Sequence, residues 1–126
     1  MRAIDPLPER FMRKTLLGTL LALAAFAAQA EKPQLHGYGV RSCEEYRKAY
    51  AGWEKGEEES MAEYQRYKDW LAGFISGLAL ATGENVLQGV DLEGAMRRNQ
   101  LYCVENTESD FFNGTMKLLG TLRNMN

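Results

Sequence analysis

Apolar side chains recur every three or four positions along the chain beyond residue 41, the spacing that places them on one face of an α-helix. A first helix is predicted to begin at Ser42, because Ser42 and Glu45 have the spacing of a capping box, and to end near Gly56. The apolar face of this helix carries Tyr46, Ala49, Tyr50 and Trp53. No segment alternates apolar and polar residues with a period of two, so we expect no strands.

A second and longer helix is predicted to follow, with three acidic residues at positions 57–59 and a terminating glycine at Gly83. Acidic side chains suit the positive end of a helix dipole, which we favour over a site for a metal or a basic partner. The apolar face carries Met61, Tyr64, Tyr67, Leu71, Phe74 or Ile75, and Leu78. Another face presents Gly73, Gly77 and Ala81; in a membrane span this would indicate dimerisation, whereas here we expect close approach of a helix of the same domain.

Two shorter helices are predicted in the last third of the chain. Asp91 can cap the third helix, and Thr107 with Asp110 has the spacing of a second capping box for the fourth. The apolar stripe of the third helix includes Leu92, Ala95, Met96, Asn99, Tyr102 and Cys103, and that of the fourth includes Phe111, Phe112, Thr115, Leu118, Leu119 and Leu122. The predicted fold is therefore all-α: a small four-helix domain over residues 41–126, preceded by an extended arm over residues 31–40.

The first thirty residues have the layout of a secretory signal peptide. A basic segment at Met12-Arg13-Lys14 precedes an apolar run over residues 16–28, and Ala28-Gln29-Ala30 is a cleavage signal. A transmembrane anchor is the alternative, but the run is shorter than the roughly 20 residues that a bilayer requires. We interpret residues 12–30 as the signal peptide and residues 1–11 as a misassigned start. The product is then expected to be exported, most simply to the periplasm, without a membrane anchor.

Removing the leader changes the charge of a chain that has 126 residues and a net charge of −2. Residues 1–30 hold four basic and two acidic side chains, so 96 residues with 11 basic and 15 acidic side chains remain, at a net charge of −4. This length corresponds to one domain. The acidic balance provides no basic stripe to neutralise phosphates, which argues against nucleic-acid binding.

The exported chain keeps two cysteines, Cys43 and Cys103. In an oxidising compartment a disulfide is the expected state, and it would join the first helix to the third. A free reactive thiol pair is disfavoured because the sequence has no C-x-x-C motif. The single histidine, His36, lies in the predicted arm, where a solvated loop residue is favoured over a general base. We therefore expect no catalytic residues, metal site or cofactor, and do not expect an enzyme.

Aromatic residues are concentrated in the first two predicted helices, at Tyr46, Tyr50, Trp53, Tyr64, Tyr67 and Trp70. Two interpretations remain open: half-buried tyrosines with hydrated hydroxyls, or an exposed face that binds a protein or peptide. The candidate partner-binding residues are Tyr50, Trp53, Tyr67 and Trp70. The partner would be a protein or client of unknown identity, and a homodimer is also possible.

The surroundings of the two cysteines carry a resemblance. Cys43-Glu44-Glu45-Tyr46 and Tyr102-Cys103-Val104-Glu105-Asn106 resemble the C-x-E-aromatic start and the Y-C-x-x-N-P segment of the HdeA-like periplasmic acid-stress chaperones, with Thr107 in place of the proline. That resemblance implies a small, all-helical, exported protein with one disulfide and a chaperone-like role in envelope stress. In acid the net charge would move from −4 toward about +12 as carboxylates and His36 are protonated.

The middle of the chain carries a second, partial resemblance. Trp70-Leu71-Ala72-Gly73-Phe74-Ile75-Ser76-Gly77 is similar to the aromatic-x-x-G helix of the exported immunity proteins that neutralise type VI secretion amidases. This resemblance implies that the aromatic face binds one cognate toxin. An accessory protein of the envelope is a third alternative.

Overall fold

Four α-helices and one short 3-10 turn make up the regular structure of residues 31–125, the part of the chain that the computed structural model describes. The turn spans Gly37–Val40, and the helices are α1 (Cys43–Glu54), α2 (Glu58–Thr82), α3 (Leu92–Glu105) and α4 (Phe111–Arg123). The predicted all-α, four-helix fold is confirmed. The predictions of a misassigned start over residues 1–11 and of a signal peptide over residues 12–30 concern residues outside this range.

Local sequence chemistry sets three of the helix ends as predicted. Ser42 caps α1 in a capping box, in which its side chain accepts from the Glu45 amide and the Glu45 side chain accepts from the Ser42 amide. Gly83 ends α2 with a φ of 71°, a left-handed conformation that glycine adopts without steric cost. The Asp91 side chain caps α3 by accepting from the Gly94 amide, 2.6 Å away.

The start of α4 differs from the prediction. Asp110 is itself the N-cap and accepts from the Asn113 amide at 2.7 Å, so the capping box predicted from Thr107 to Asp110 is wrong. The cause is tertiary: the Cys43 amide donates to the Ser109 carbonyl at 2.9 Å, and the Phe111 amide donates to the Arg41 carbonyl at 3.1 Å. These two bonds hold the start of α4 beside the start of α1, so the helix begins at residue 111.

The core is built around aromatic rings from three helices. The Tyr46 ring of α1 lies edge-on to Tyr67 of α2 and to Phe111 of α4, with centroids 5.0 and 4.6 Å away. The Tyr46 hydroxyl, which is fully buried, donates to the Met96 carbonyl of α3 at 2.7 Å. One side chain therefore contacts all three other helices.

A disulfide between Cys43 and Cys103 joins α1 to α3, as predicted. Both cysteines are fully buried, and their Cα atoms are 4.9 Å apart. The bond lies beside the aromatic core and links residues separated by 60 positions in the sequence.

The prediction of an extended arm over residues 31–40 is wrong for its last four residues, whereas residues 31–36 have no regular secondary structure. Gly37–Val40 forms the 3-10 turn and lies against α2, where the Trp70 indole nitrogen donates to the His36 carbonyl at 3.0 Å. Gly37 has a φ of 82°, and a Cβ on Gly39 would lie 2.0 Å from Trp70 Cζ2. The two glycines, which suggested an irregular arm, instead allow the backbone to turn and to lie on the indole ring.

The second half of α2 extends past the core. Tyr64, Tyr67 and Leu71 are buried, but no later residue of this helix is. The expected approach of another helix at Gly73 and Gly77 is wrong, because no described atom beyond the local chain lies within 4 Å of the position a Cβ would occupy. None of the helices described here is long and apolar enough to cross a membrane.

Candidate protein-binding surfaces

The aromatic cluster of α1 and α2 is mainly core. Tyr67 is 1% exposed and Tyr50 is 9% exposed, so both belong to the core of the folded domain, and their predicted contact with a partner stays a prediction. Tyr67 lies edge-on to Tyr38 and is tilted against Phe111, while Tyr50 contacts Trp53 and Tyr64. Rings from neighbouring helices cover both tyrosines, which a single sequence pattern cannot show.

The two tryptophans of the predicted contact face are half-buried. Trp53 stacks on Tyr64 with ring centroids 4.1 Å apart and planes within 5°. Trp70 stacks on Phe74 at 5.1 Å and contacts Phe111 edge-on at 6.0 Å. Each indole therefore covers an edge of the core. The two tryptophans pack against different aromatic partners and do not contact each other.

Two tyrosine hydroxyls donate hydrogen bonds from one helix to another: Tyr46 to the Met96 carbonyl and Tyr64 to the Glu93 carboxylate, 2.6 Å away. Burial raises the pKa of Tyr46, Tyr64 and Tyr67 above the ordinary value of 10. The hydrogen bond to Glu93 raises the pKa of Tyr64 further. The Tyr46 and Tyr64 hydroxyls therefore stay protonated near neutral pH and link α1 and α2 to α3.

Glu93 links α3 to α2. Its carboxylate is ion-paired with Lys68 and accepts from the Tyr64 hydroxyl. The hydrogen bond from Lys68, followed by that from Tyr64, lowers the pKa of Glu93 below its ordinary value of 4.5. The side chain is partly exposed, so this is a solvent-screened contact at the edge of the helix pair.

Groups that commonly carry metal or acid–base chemistry are scattered over the surface. His36 is exposed, and its carbonyl, not its imidazole, makes the contact with Trp70. Within residues 31–125, no three side chains of histidine, cysteine, aspartate or glutamate come close enough to share a metal ion. The surfaces of greatest interest are instead apolar.

The first of these surfaces is the uncharged half of α2, which we define as residues 70–82. Asp69 and Glu84 flank it, and no charged residue lies between them. Leu80 is 87% exposed, and the neighbouring exposed positions are small: Gly73, Ser76, Gly77 and Ala81. In the first half of α2, by contrast, the exposed side chains are mostly polar: Glu58, Glu59, Gln65, Arg66 and Asp69. The cores of protein interfaces are depleted of charged residues, so this uncharged half of α2 is a candidate contact surface.

The second surface is a groove between α3 and α4 with a volume of about 610 Å³. We call it the α3–α4 groove, and it is lined by Arg98, Leu101, Tyr102, Glu105, Asn106, Gly114, Lys117, Leu118 and Thr121. Leu101 is 60% exposed at its edge. The groove was not predicted from the sequence, where its one signal is Leu101, an apolar residue that lies off the predicted apolar stripe of the third helix.

Comparisons of the chain with protein-family models, curated proteins and solved structures find no match.

Proposed function

We propose that this chain is a non-catalytic protein-binding domain and that the uncharged half of α2 is its contact surface. The observation that carries the proposal is the change from charged to uncharged exposed side chains along α2. Its exposed side is mostly charged or polar up to Asp69, apart from Met61 and Ala62, and then carries uncharged small residues and Leu80. The cores of protein interfaces are likewise depleted of charged residues.

We also propose that the protein works in the periplasm. The leader pattern of residues 12–30 supports export. The buried Cys43–Cys103 disulfide supports an oxidising compartment, because such bonds are rare in the cytosol of most organisms.

Within this class, the role we propose is that of an HdeA-like chaperone in envelope stress. The resemblance around Cys43 and Cys103 supports it, as does the disulfide that joins α1 to α3 at those positions. Acid would also give residues 31–126 a charge of about +12, and this self-repulsion would loosen the contacts among helices and expose more apolar surface.

An immunity protein that neutralises a type VI secretion effector is the second candidate. One observation favours it: the segment that resembles such proteins contains Gly73 and Gly77, both of which are exposed and open to close approach by another backbone. In this role the surface binds one folded toxin at neutral pH, without any loosening of the domain.

The chaperone role is tested by light scattering of an acid-sensitive client, such as alcohol dehydrogenase, at about pH 2–3. The full chain is expressed, recovered in oxidised form and compared with Leu80→Lys and Ala62→Lys, because lysine stays charged at this pH whereas glutamate is protonated. Ala62 is a matched control, since it is exposed on the same helix and 18 residues, or five turns, away from Leu80. We expect the wild type and Ala62→Lys to suppress scattering and Leu80→Lys to suppress it less. Full aggregation with the wild type would exclude the chaperone role.

The immunity role is tested by co-expression with small exported hydrolases encoded next to this gene. A stoichiometric complex at neutral pH that Leu80→Glu weakens and Ala62→Glu preserves would support it. If the wild type neither protects a client nor binds such a hydrolase, the protein-binding proposal fails and an accessory role in the envelope is favoured.

A further inference from the structure

We propose that the α3–α4 groove binds an amphipathic α-helix of a partner protein, with an acidic residue near the C-terminal end of that helix. The groove is separate from the uncharged half of α2, so this proposal stands or falls independently of the contact surface proposed above.

The shape of the groove suits a helix. Each wall is a single stripe of residues at positions i, i+3, i+4 and i+7. On α3 the stripe is Arg98, Leu101, Tyr102 and Glu105, and on α4 it is Gly114, Lys117, Leu118 and Thr121. Seven residues of helix rise by about 10 Å, so the groove accommodates about two turns of a bound helix.

The two walls run antiparallel in a defined register. The Asn99 side-chain amide donates to the Thr115 hydroxyl at 2.8 Å, and a Cβ on Gly114 would lie 3.0 Å from the Tyr102 ring. This antiparallel register places Arg98 near the level of Lys117, one turn before Thr121 ends the α4 wall. It leaves Glu105 at the opposite end, close to the turn that joins α3 to α4.

The surface of the groove is apolar where a helix would lie. Leu118 is buried and Tyr102 is half-buried, while Leu101 leaves most of its side chain in water. An amphipathic helix binds such a groove by laying its own apolar side chains, spaced at three and four residues, on the apolar surface of the groove.

The charges determine the orientation of the bound helix. Arg98, Lys117 and Glu105 form no ion pair with another described residue, so all three are available to a partner. A helix has partial positive charge at its N-terminus and partial negative charge at its C-terminus. The favoured occupant therefore places its N-terminus near Glu105 and its C-terminal turn, with an acidic side chain, near Arg98 and Lys117. It runs parallel to α4.

The test uses two synthetic 14-residue helical peptides of identical composition, each labelled with a fluorophore. Both present leucines at i, i+3, i+4 and i+7; one has two glutamates in its last turn and two lysines in its first, and the other has these reversed. Binding to the full chain is measured by fluorescence anisotropy. We expect the peptide with C-terminal glutamates to bind at least fivefold more tightly than the reversed peptide, with the preference falling at 0.5 M salt.

Two matched variants of α3 locate the binding. Leu101→Glu should weaken binding at least tenfold, whereas Val104→Glu, at a position exposed on α3 but outside the groove, should not change it. Circular dichroism melting of both variants shows whether each is folded. If Leu101→Glu unfolds the protein, Arg98→Gln combined with Lys117→Gln replaces it, and the preference between the two peptides should then disappear.

Three results would overturn the proposal. They are no binding of either peptide at 1 mM, equal binding of both peptides to the wild type, and equal weakening by Leu101→Glu and Val104→Glu. A fourth is self-association of the wild type that Leu101→Glu abolishes in sedimentation experiments, since a second copy of this chain would then occupy the groove.

Discussion

Trp70 determines how the N-terminal segment meets the helices. Its ring stacks on Phe74, its indole nitrogen binds the His36 carbonyl, and its other edge is covered by Gly39. Residues 37–40 are ordered on α2 because glycine leaves room for the indole. Trp70 therefore has a role in the fold, and its predicted contact with a partner stays a prediction.

Replacement of Gly39 by alanine is expected to destabilise the domain by about 1–3 kcal/mol, the usual cost of overpacking. The added Cβ would overlap the rigid Trp70 ring, 2.0 Å from Cζ2, so the turn or the ring must move. Gly73→Ala is the control: its Cβ meets open space within α2, and we expect it to stabilise the domain by up to about 1 kcal/mol. Chemical denaturation measures both. Equal effects of the two substitutions would contradict the contact with Trp70.

The ends of the helices were predictable where they are set by contacts with the backbone a few residues away. Ser42, Gly83 and Asp91 end or begin their helices through contacts within three or four residues, which a sequence displays directly. Asp110 was misassigned because the start of α4 depends on hydrogen bonds to the start of α1, nearly 70 residues away. Contacts of that range leave no periodic signal.

The binding surfaces were harder to predict than the helices. Tyr50 and Tyr67 have the composition of an interface, but only the placement of neighbouring helices shows that they are covered. The same holds for Gly73 and Gly77, whose face no described helix approaches. The α3–α4 groove depends on the register of two helices, which residue spacing within either helix does not contain.

The contact between α2 and α3 is expected to weaken in acid. Because the pKa of Glu93 is lower in the folded state than its ordinary value of 4.5, its carboxylate adds stability above that value and loses it as the pH falls through the folded pKa. Glu93→Gln should therefore cost stability at pH 7, below about 1 kcal/mol for so exposed a pair, and cost nothing near pH 2.

Thermal melting of the wild type and Glu93→Gln at a series of pH values measures this difference. Glu105→Gln is the control, since Glu105 has no ion-pair partner among residues 31–125. A gap between the wild type and Glu93→Gln that is constant from pH 7 to pH 2 would contradict the prediction.

The domain as a whole depends on one covalent link. The helical part of the chain is small, and small domains bury a limited fraction of their surface on folding. The Cys43–Cys103 bond compensates, because it closes a loop of 60 residues and so reduces the entropy of the unfolded chain.

Cys43→Ser or Cys103→Ser is expected to lower the free energy of unfolding by about 4 kcal/mol, the value for a loop of this length. Replacing both cysteines should cost no more than replacing one, since either change removes the same bond. Denaturation of oxidised protein measures the loss, and reduced wild type is the control. An unchanged melting temperature in the single variants would show that the bond contributes nothing.

The same bond makes a covalent ring of residues 43–103, which contains the whole of α2 and the connector after Gly83, where Glu84 and Asn85 are exposed. A single proteolytic cut in that connector would separate α1 and α2 from α3 and α4 along the backbone. The sulfur bridge would still hold the two pieces together. The nicked protein would therefore remain one disulfide-linked molecule until it is reduced. The helix α2 would stay attached to the domain although the backbone after it is cut.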